Sequence, residues 1–145
     1  MTTHSFPLRV YYEDTDAQGI VYYANYLKFM ERARTEFMRD IGFNHAMIAH
    51  ETKQYFVVGE VNARYKASGR LDDELIVESS VLHMGNASLK LQQNVLKRVA
   101  SGNILLLEGV VTLIYIAESS GRPVRIPEDL RHVLQPYHLI KDETT

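Results

Sequence analysis

"YYANYLKFMERARTEFMRDIG", residues 22–42, repeats apolar side chains at spacings of three and four. Tyr23, Tyr26, Leu27, Met30, Ala33, Phe37, Met38 and Ile41 share one stripe of a helix running from about residue 22 to residue 41. Lys28, Glu31, Arg32, Thr35, Glu36 and Arg39 fall mostly on the other side, where Glu31–Thr35 and Glu36–Arg39 are neighbours. Gly42 follows the last apolar residue, a usual helix stop. The stripe needs a surface to cover it, and the rest of the chain supplies one.

Around the helix the period is two. "FPLRVYY" (6–12) places Phe6, Leu8, Val10 and Tyr12 on one face, as a strand does. Residues 44–52 read as a short helical turn, and strand signals then run almost to the end. "QYFVVGEVNARYK" (54–66) is rich in Val and aromatics and stops at the polar turn "ASGRLDDE". "ELIVESSVLHMG" (74–85) aligns Leu75, Val77, Val81 and His83, and "ASLKLQQNVLKRVA" (87–100) aligns Leu89, Leu91, Val95 and Val99. After the turn "SGN" comes "ILLLEGVVTLIYIA" (104–117), apolar on both faces and hence expected inside the sheet. A short helix with Pro127 in its first turn closes the pattern over 126–137.

One strand, one long helix and four strands predict an α+β fold. Four consecutive hairpin-connected strands form an antiparallel sheet, and one of its faces is the only large surface able to cover the helix stripe. A long central helix wrapped by a curved antiparallel sheet is the hotdog arrangement. The apolar sheet and its exposed edge predict pairing with a second copy. A length of 145 residues fits a single domain over 1–145.

Composition narrows the function. Hydrophobic residues make up 46% and charged residues 23%, with a formal net charge of -2, so bulk electrostatics offer nothing to nucleic acid or an anionic membrane. There is no cysteine, which removes disulfides, thiolate metal sites and thiol nucleophiles. The longest apolar stretch is interrupted by Glu108 and is short for a spanning helix, and the first ten residues lack the marks of a signal peptide. A soluble, cytoplasmic protein is expected. G-x-S-x-G, G-x-G-x-x-G and Gly-Lys-Ser/Thr phosphate loops are all missing. His45 and His50, five apart, point to different sides of a weak helix and make a poor metal pair. His83 reads as a packed or surface residue.

What remains is "YYEDTDAQGIVYYANY" (11–26), an acidic loop feeding the helix start. A helix N-terminus carries unpaired N–H groups and partial positive charge. Thr15 or Asp16 there can cap the helix, worth about 1 kcal/mol. Alternatively, the N–H groups face a substrate oxygen while a carboxylate attacks beside it. Residue type and spacing alone favour capping. Gly19 permits a close approach of backbone, and Ile20, Val21, Tyr22 and Tyr23 offer a water-poor surround in which electrostatic stabilisation is strengthened. With no histidine in the loop, one carboxylate would act by itself as nucleophile or base.

The same residues carry a resemblance. "YYEDTDAQGIVYYANYLKFMERARTEFMRDIGF", with its D-x-D-x-x-G-x-V-Y-x-x-x-Y spacing, closely resembles the opening motif of the 4-hydroxybenzoyl-CoA thioesterase family. It is especially similar to the branch of small acyl-CoA thioesterases encoded beside the Tol–Pal cell-envelope system. "ARYKASGRLDDEL" and "NASLKL" resemble later segments of that family. The resemblance implies a hotdog fold, dimers or dimers of dimers, and active sites at the dimer interface. It implies hydrolysis of an acyl- or aroyl-CoA thioester, with Asp16 as catalytic carboxylate and the Tyr23 backbone N–H holding the carbonyl oxygen. Tyr12 matches a position lining the acyl pocket, joined by Gly19, Val21 and Tyr22, and Asp14 matches a structural loop position. Many members of the Tol–Pal branch have His where this chain has Tyr23, which leaves Asp16 as the one ionisable group assigned to chemistry. Arg64, Lys66 and Lys90 are the candidates for the coenzyme A phosphates. Coenzyme A is part of the substrate, and neither a cofactor nor a metal is expected. The alternative is a non-catalytic hotdog that binds acyl-CoA or docks to a protein. A dehydratase would need a histidine base that the motif lacks.

Overall fold

The computed structural model describes residues 2–139, so residues 1 and 140–145 of the expected 1–145 domain lie outside the described residues, as does the side chain of His45. β1 (His4–Arg9) leads through a 3₁₀ turn (Tyr12–Asp14) to α1 (Asn25–Asp40), and α2 (His45–Thr52) follows. β2 (Gln54–Tyr65), β3 (Glu74–Met84), β4 (Ser88–Lys97) and β5 (Ile104–Ala117) come next, and α3 (Glu128–Leu134) closes the order with a second 3₁₀ turn. The strands form one antiparallel sheet in the order β1-β3-β4-β5-β2. α1 lies on one face of it and packs chiefly on β1, β3 and β4. This is the hotdog arrangement expected from the pattern.

The order corrects one expectation. Only β3, β4 and β5 are joined as hairpin neighbours; β2 pairs with β5, and β1 takes the edge of β3. Residues 66–73 therefore carry the chain from one edge across to β3, a span of three strand spacings or about 14 Å. Eight residues reach that far with ease. The crossing segment passes over the acidic loop and is pinned there, with Gly69 O accepting from Val21 N–H at 2.8 Å. A local pattern names strands but not their neighbours, and here the crossover builds the site.

α1 begins at Asn25, three residues later than the apolar spacing suggested, because Tyr23 and Ala24 form a turn ahead of it. Its buried face is Tyr26, Phe29, Met30, Ala33, Phe37 and Met38. Phe29 belongs to that face, whereas Tyr23 is 62% exposed and Leu27 41% exposed. The predicted stripe was too wide: the sheet covers one part of it and leaves a flank open. Gly109 of β5 lets the helix settle, since a Cβ there would stand 2.9 Å from both Gln93 O and Met30 Cε. Gln93 interrupts the apolar row of β4 yet is fully buried, donating to Met30 O and Ser79 Oγ at 3.0 Å. A polar tie between helix and sheet thus sits inside the core, with its amide fully used.

Three further positions differ from the pattern. β1 ends at Arg9, so Tyr12 leaves the strand face for the 3₁₀ turn and is 83% exposed. A bulge between Val81 and His83 turns His83 outward, away from Leu75, Val77 and Val81. Val99 falls beyond the end of β4, and Pro127 caps α3 from outside its first turn. The interior place of β5, α2 behind its Asn44 cap, and the Glu31–Thr35 and Glu36–Arg39 contacts stand as expected.

Candidate active site

The acidic loop is held shut by its own backbone. Asp14 is buried, and its Oδ2 accepts the Tyr11 N–H at 2.8 Å. The Asp14 carbonyl takes the Tyr22 N–H at 3.0 Å and the Asn25 side-chain amide at 2.9 Å, which ties the loop to the helix mouth. Both the carboxylate and the carbonyl of Asp14 are thus engaged within the loop and the helix mouth. Asp16 N–H donates to Ile20 O at 2.9 Å, and Gly19 N–H returns to Asp16 O at 3.0 Å. Gly19 holds φ +77 in this tight turn, a conformation that a side chain would strain.

The Asp16 side chain does not cap α1. Its Oδ1 accepts the Gln18 N–H at 2.9 Å and, more weakly, the Ile20 N–H at 3.4 Å. Oδ2 accepts no hydrogen bond from the described residues. One oxygen is anchored and the other is presented, the arrangement a nucleophile or general base requires. Asp16 stands between two depressions. One, of about 410 Å³, is walled by Val21, Tyr22, Tyr23, Tyr26, Tyr65 and Lys66, and the other, of about 340 Å³, by Tyr12, Thr15, Gly19 and Leu71.

The turn ahead of α1 supplies the electrophilic side. Tyr22 O accepts the Asn25 N–H at 2.8 Å, and Leu27 N–H bonds Ala24 O at 3.2 Å. The Tyr23 and Ala24 N–H groups donate to no backbone acceptor among the described residues. The Tyr23 carbonyl is drawn to the Tyr65 hydroxyl at 3.1 Å. A trans peptide points its C=O and N–H in opposite directions, so that hydroxyl sets the Ala24 N–H as well. Two free donors at a helix start, beside a presented carboxylate, suit an oxygen that gains negative charge.

Aromatic rings build the wall. Tyr23 meets Tyr65 edge-on at 6.2 Å, and Tyr65 meets Tyr26 at 5.7 Å. The Tyr26 hydroxyl accepts the Gly69 N–H at 2.8 Å, which locks the crossing segment onto the helix. Burial pushes the Tyr26 and Tyr65 hydroxyls above the ordinary tyrosine range, so both keep their protons at neutral pH. Neither hydroxyl was marked by the sequence reading. Tyr65 sits at the end of an alternating row far along the chain, and only the β2–β5 pairing brings it to Tyr23.

Of the three cations proposed for phosphate, Lys66 lines the Asp16 cavity. Arg64 alternates with Ala63 and Tyr65, and Lys90 with the buried Leu89 and Leu91, which puts both on the sheet face away from α1. Among the described residues no group of three His, Asp or Glu side chains is placed to hold a metal, and no helix is long and apolar enough to cross a membrane.

Residues 18–99 match the thioesterase superfamily. The chain belongs to this family. Acyl-CoA thioesterase YbgC of Haemophilus influenzae is 37% identical over 127 residues, covering 88% of this chain and 90% of that protein. Acyl-CoA thioester hydrolase YbgC of Escherichia coli O157:H7 is 37% identical over 129 residues, covering 89% and 93%. Among solved structures, a probable thioesterase from Bartonella henselae superposes with a TM-score of 0.77 at 32% identity, covering 87% of this chain and 100% of that one. A 4-hydroxybenzoyl-CoA thioesterase mutant in complex with 4-hydroxybenzoyl-CoA superposes at 0.85 and 18% identity, covering 91% and 98%; at that identity the likeness speaks for the fold.

Proposed function

We propose that this thioesterase-superfamily chain hydrolyses acyl-CoA thioesters to the carboxylic acid and free coenzyme A. The observation that carries the reading is the junction at residue 16, where a half-anchored carboxylate and a helix mouth with two free N–H groups flank one tyrosine-walled cavity. The N–H groups of Tyr23 and Ala24 hold the thioester oxygen as it gains charge. Asp16 either attacks the carbonyl carbon, expelling the coenzyme A thiolate and leaving a mixed anhydride for water to cleave, or draws a proton from water that attacks in its place. Asp14 holds the loop, and Lys66 lies where a phosphate could reach it. The reading calls for no cofactor beyond the coenzyme A of the substrate.

The protein works in the cytoplasm as a homodimer or dimer of dimers on this reading. The motive is the edge strand β2, whose Val57, Val58 and Val61 are exposed, an apolar edge that monomers seldom leave open. Purified protein offered short, long and aromatic acyl-CoAs, with thiol release followed by a thiol reagent, should turn over at least one class. Tight binding of every class without thiol release would instead make the chain an acyl-CoA-binding module.

The Tyr65 hydroxyl has its own consequence. Tyr65→Phe keeps the ring against Tyr23 and Tyr26 but frees the Tyr23 carbonyl. A hydrogen bond worth about 1 kcal/mol sets the expected loss at about fivefold in kcat, with KM little changed. Steady-state kinetics separate the two: a rise in KM at constant kcat would place Tyr65 in binding and not in positioning the turn.

A further inference from the structure

α1 does not cover the whole sheet, and the uncovered strip has a definite chemistry. The register pairs Phe56 with Tyr115, Val58 with Leu113, Val61 with Val111, Ala63 with Gly109 and Tyr65 with Leu107. All five β5 partners are buried on the helix side, so this β2 row shares that face. The bulge between Val58 and Glu60 keeps the row in phase across its middle. Yet the helix packs on the other strands, and Val58 stays 51% exposed with Val61 and Tyr65 open beside it. On the flank of α1 and of the turn before it, the exposed Tyr23 and Leu27, the half-buried Arg34 and the buried Met38 recur at helical spacing. Two cavities open along the α1–β2 seam, one at each end.

The two ends differ. At the first, Tyr65, Tyr23 and Tyr26 belong to the cavity that holds Asp16. At the other, Phe56, Val58 and Leu113 meet Glu31, Arg34 and Met38 around a cavity of about 200 Å³. From Tyr65 to Val58 a strand rise of about 3.3 Å per residue makes the seam about 20 Å long, the scale of a long aliphatic chain and several times one aromatic ring. Between the two cavities α1 and β2 carry the exposed apolar side chains of Leu27 and Val61. Arg34 stands at the far cavity: its Nη1 donates to Gln93 Oε1 at 2.9 Å, and it has no carboxylate partner within ion-pair distance among the described residues. Burial, opposed by nearby Glu31, pulls the guanidinium below its ordinary pKa without discharging it. Its other N–H groups are left for an acceptor in the cavity.

We infer that the α1–β2 groove is the acyl channel and that Arg34 is a specificity-determining residue, selecting long acyl chains that carry an oxygen function at the end far from the thioester. This rests on the thioesterase reading and names its substrate class. A hydroxyl and a carboxylate both offer an acceptor to the Arg34 N–H groups that Gln93 leaves unengaged, and Glu31 at the rim sets which is preferred, since it repels the carboxylate. An apolar chain end leaves these half-buried donors unmatched, and sites built to hydrogen-bond discriminate against such analogues.

The test is a matched series of acyl-CoAs: short, long and plain, long with a terminal hydroxyl, and long with a terminal carboxylate. Wild-type kcat/KM should favour one of the oxygenated chains over the plain chain by about tenfold, the worth of one charge-assisted hydrogen bond. Arg34→Met should erase the preference, and Arg34→Lys should keep part of it. Leu27→Trp, which narrows the seam midway, should lower the ratio of long-chain to short-chain kcat/KM. Equal rates on plain and oxygenated chains in the wild type overturn the inference without any variant having to fold. So does a Leu27→Trp protein with an unchanged length ratio but an altered sedimentation coefficient, because the groove would then be filled by a second copy. Hydrolysis of short chains with no discrimination at the far end defeats this inference alone; no hydrolysis of any chain defeats the reading beneath it.

Discussion

Asp16→Asn lowers kcat on any acyl-CoA the protein accepts by about 10² to 10⁴, the range general-base catalysis contributes, and by more if Asp16 is the nucleophile. The substitution is a narrow one. Asn keeps a carbonyl oxygen where Oδ1 accepts the Gln18 N–H, so the turn around Gly19 persists. What changes is Oδ2, which becomes an amide nitrogen with neither charge nor lone pair to attack or take a proton. KM and Tm are therefore expected to stay near wild type while turnover collapses. Near-normal turnover across short, long and aromatic acyl-CoAs would remove Asp16 from the chemistry. Single-turnover hydrolysis in heavy-oxygen water then divides the two routes. Only attack by the carboxylate can carry label into Asp16: water that cleaves the mixed anhydride at the aspartyl carbon leaves its oxygen there and sends an Asp16 oxygen out in the product, whereas water adding at the acyl carbon labels the product alone, as the general-base route does.

How much of this was readable in advance depends on the range of the forces involved. Helix and strands were legible because burial imposes periods of 3.6 and 2 on neighbouring residues. Strand order was not: whether β2 lies beside β3 or β5 is decided by contacts between distant residues, and the turn "ASGRLDDE" looks the same as a hairpin or as a crossover. The site divided along the same line. Loop residues Asp14, Asp16 and Gly19 stood out within one short motif, and the role of Asp16 came from its likeness to a family rather than from charge or spacing. Tyr65, which reaches Tyr23 through β2–β5 pairing, and Gln93, which ties α1 to the sheet and receives Arg34, gave no local sign. The helix stripe erred in an informative direction. It was apolar over a wider arc than the sheet can cover: of the surplus, Tyr23 lines the cavity that holds Asp16 and Leu27 stays exposed beyond it.

Phe29→Ala is expected to have the largest effect on stability, and the reason lies in which part of that arc faces the sheet. Phe29 is fully buried, meets the Tyr26 ring edge-on at 6.0 Å and sits in the core beneath the first turns of α1. Removing a buried phenyl ring costs about 3–5 kcal/mol, because transfer energy is lost and a cavity remains that a close-packed interior closes only in part. Against a total of about 5–15 kcal/mol that is a large share, equivalent to about 10 °C in Tm for a chain of this size. Leu27→Ala, two positions away on the exposed flank, should move stability by no more than about 0.5 kcal/mol. The contrast reads the helix rotation directly. Equal losses at both positions in thermal and urea melts would mean that the stripe centred on Leu27 is the one the sheet buries. Activity adds a second measure. Tyr26 leans on Phe29 and accepts the Gly69 N–H, so the Phe29→Ala cavity loosens the crossing segment over the acidic loop. At temperatures where the variant is still folded, kcat should fall with KM, whereas damage confined to stability would leave the folded fraction fully active.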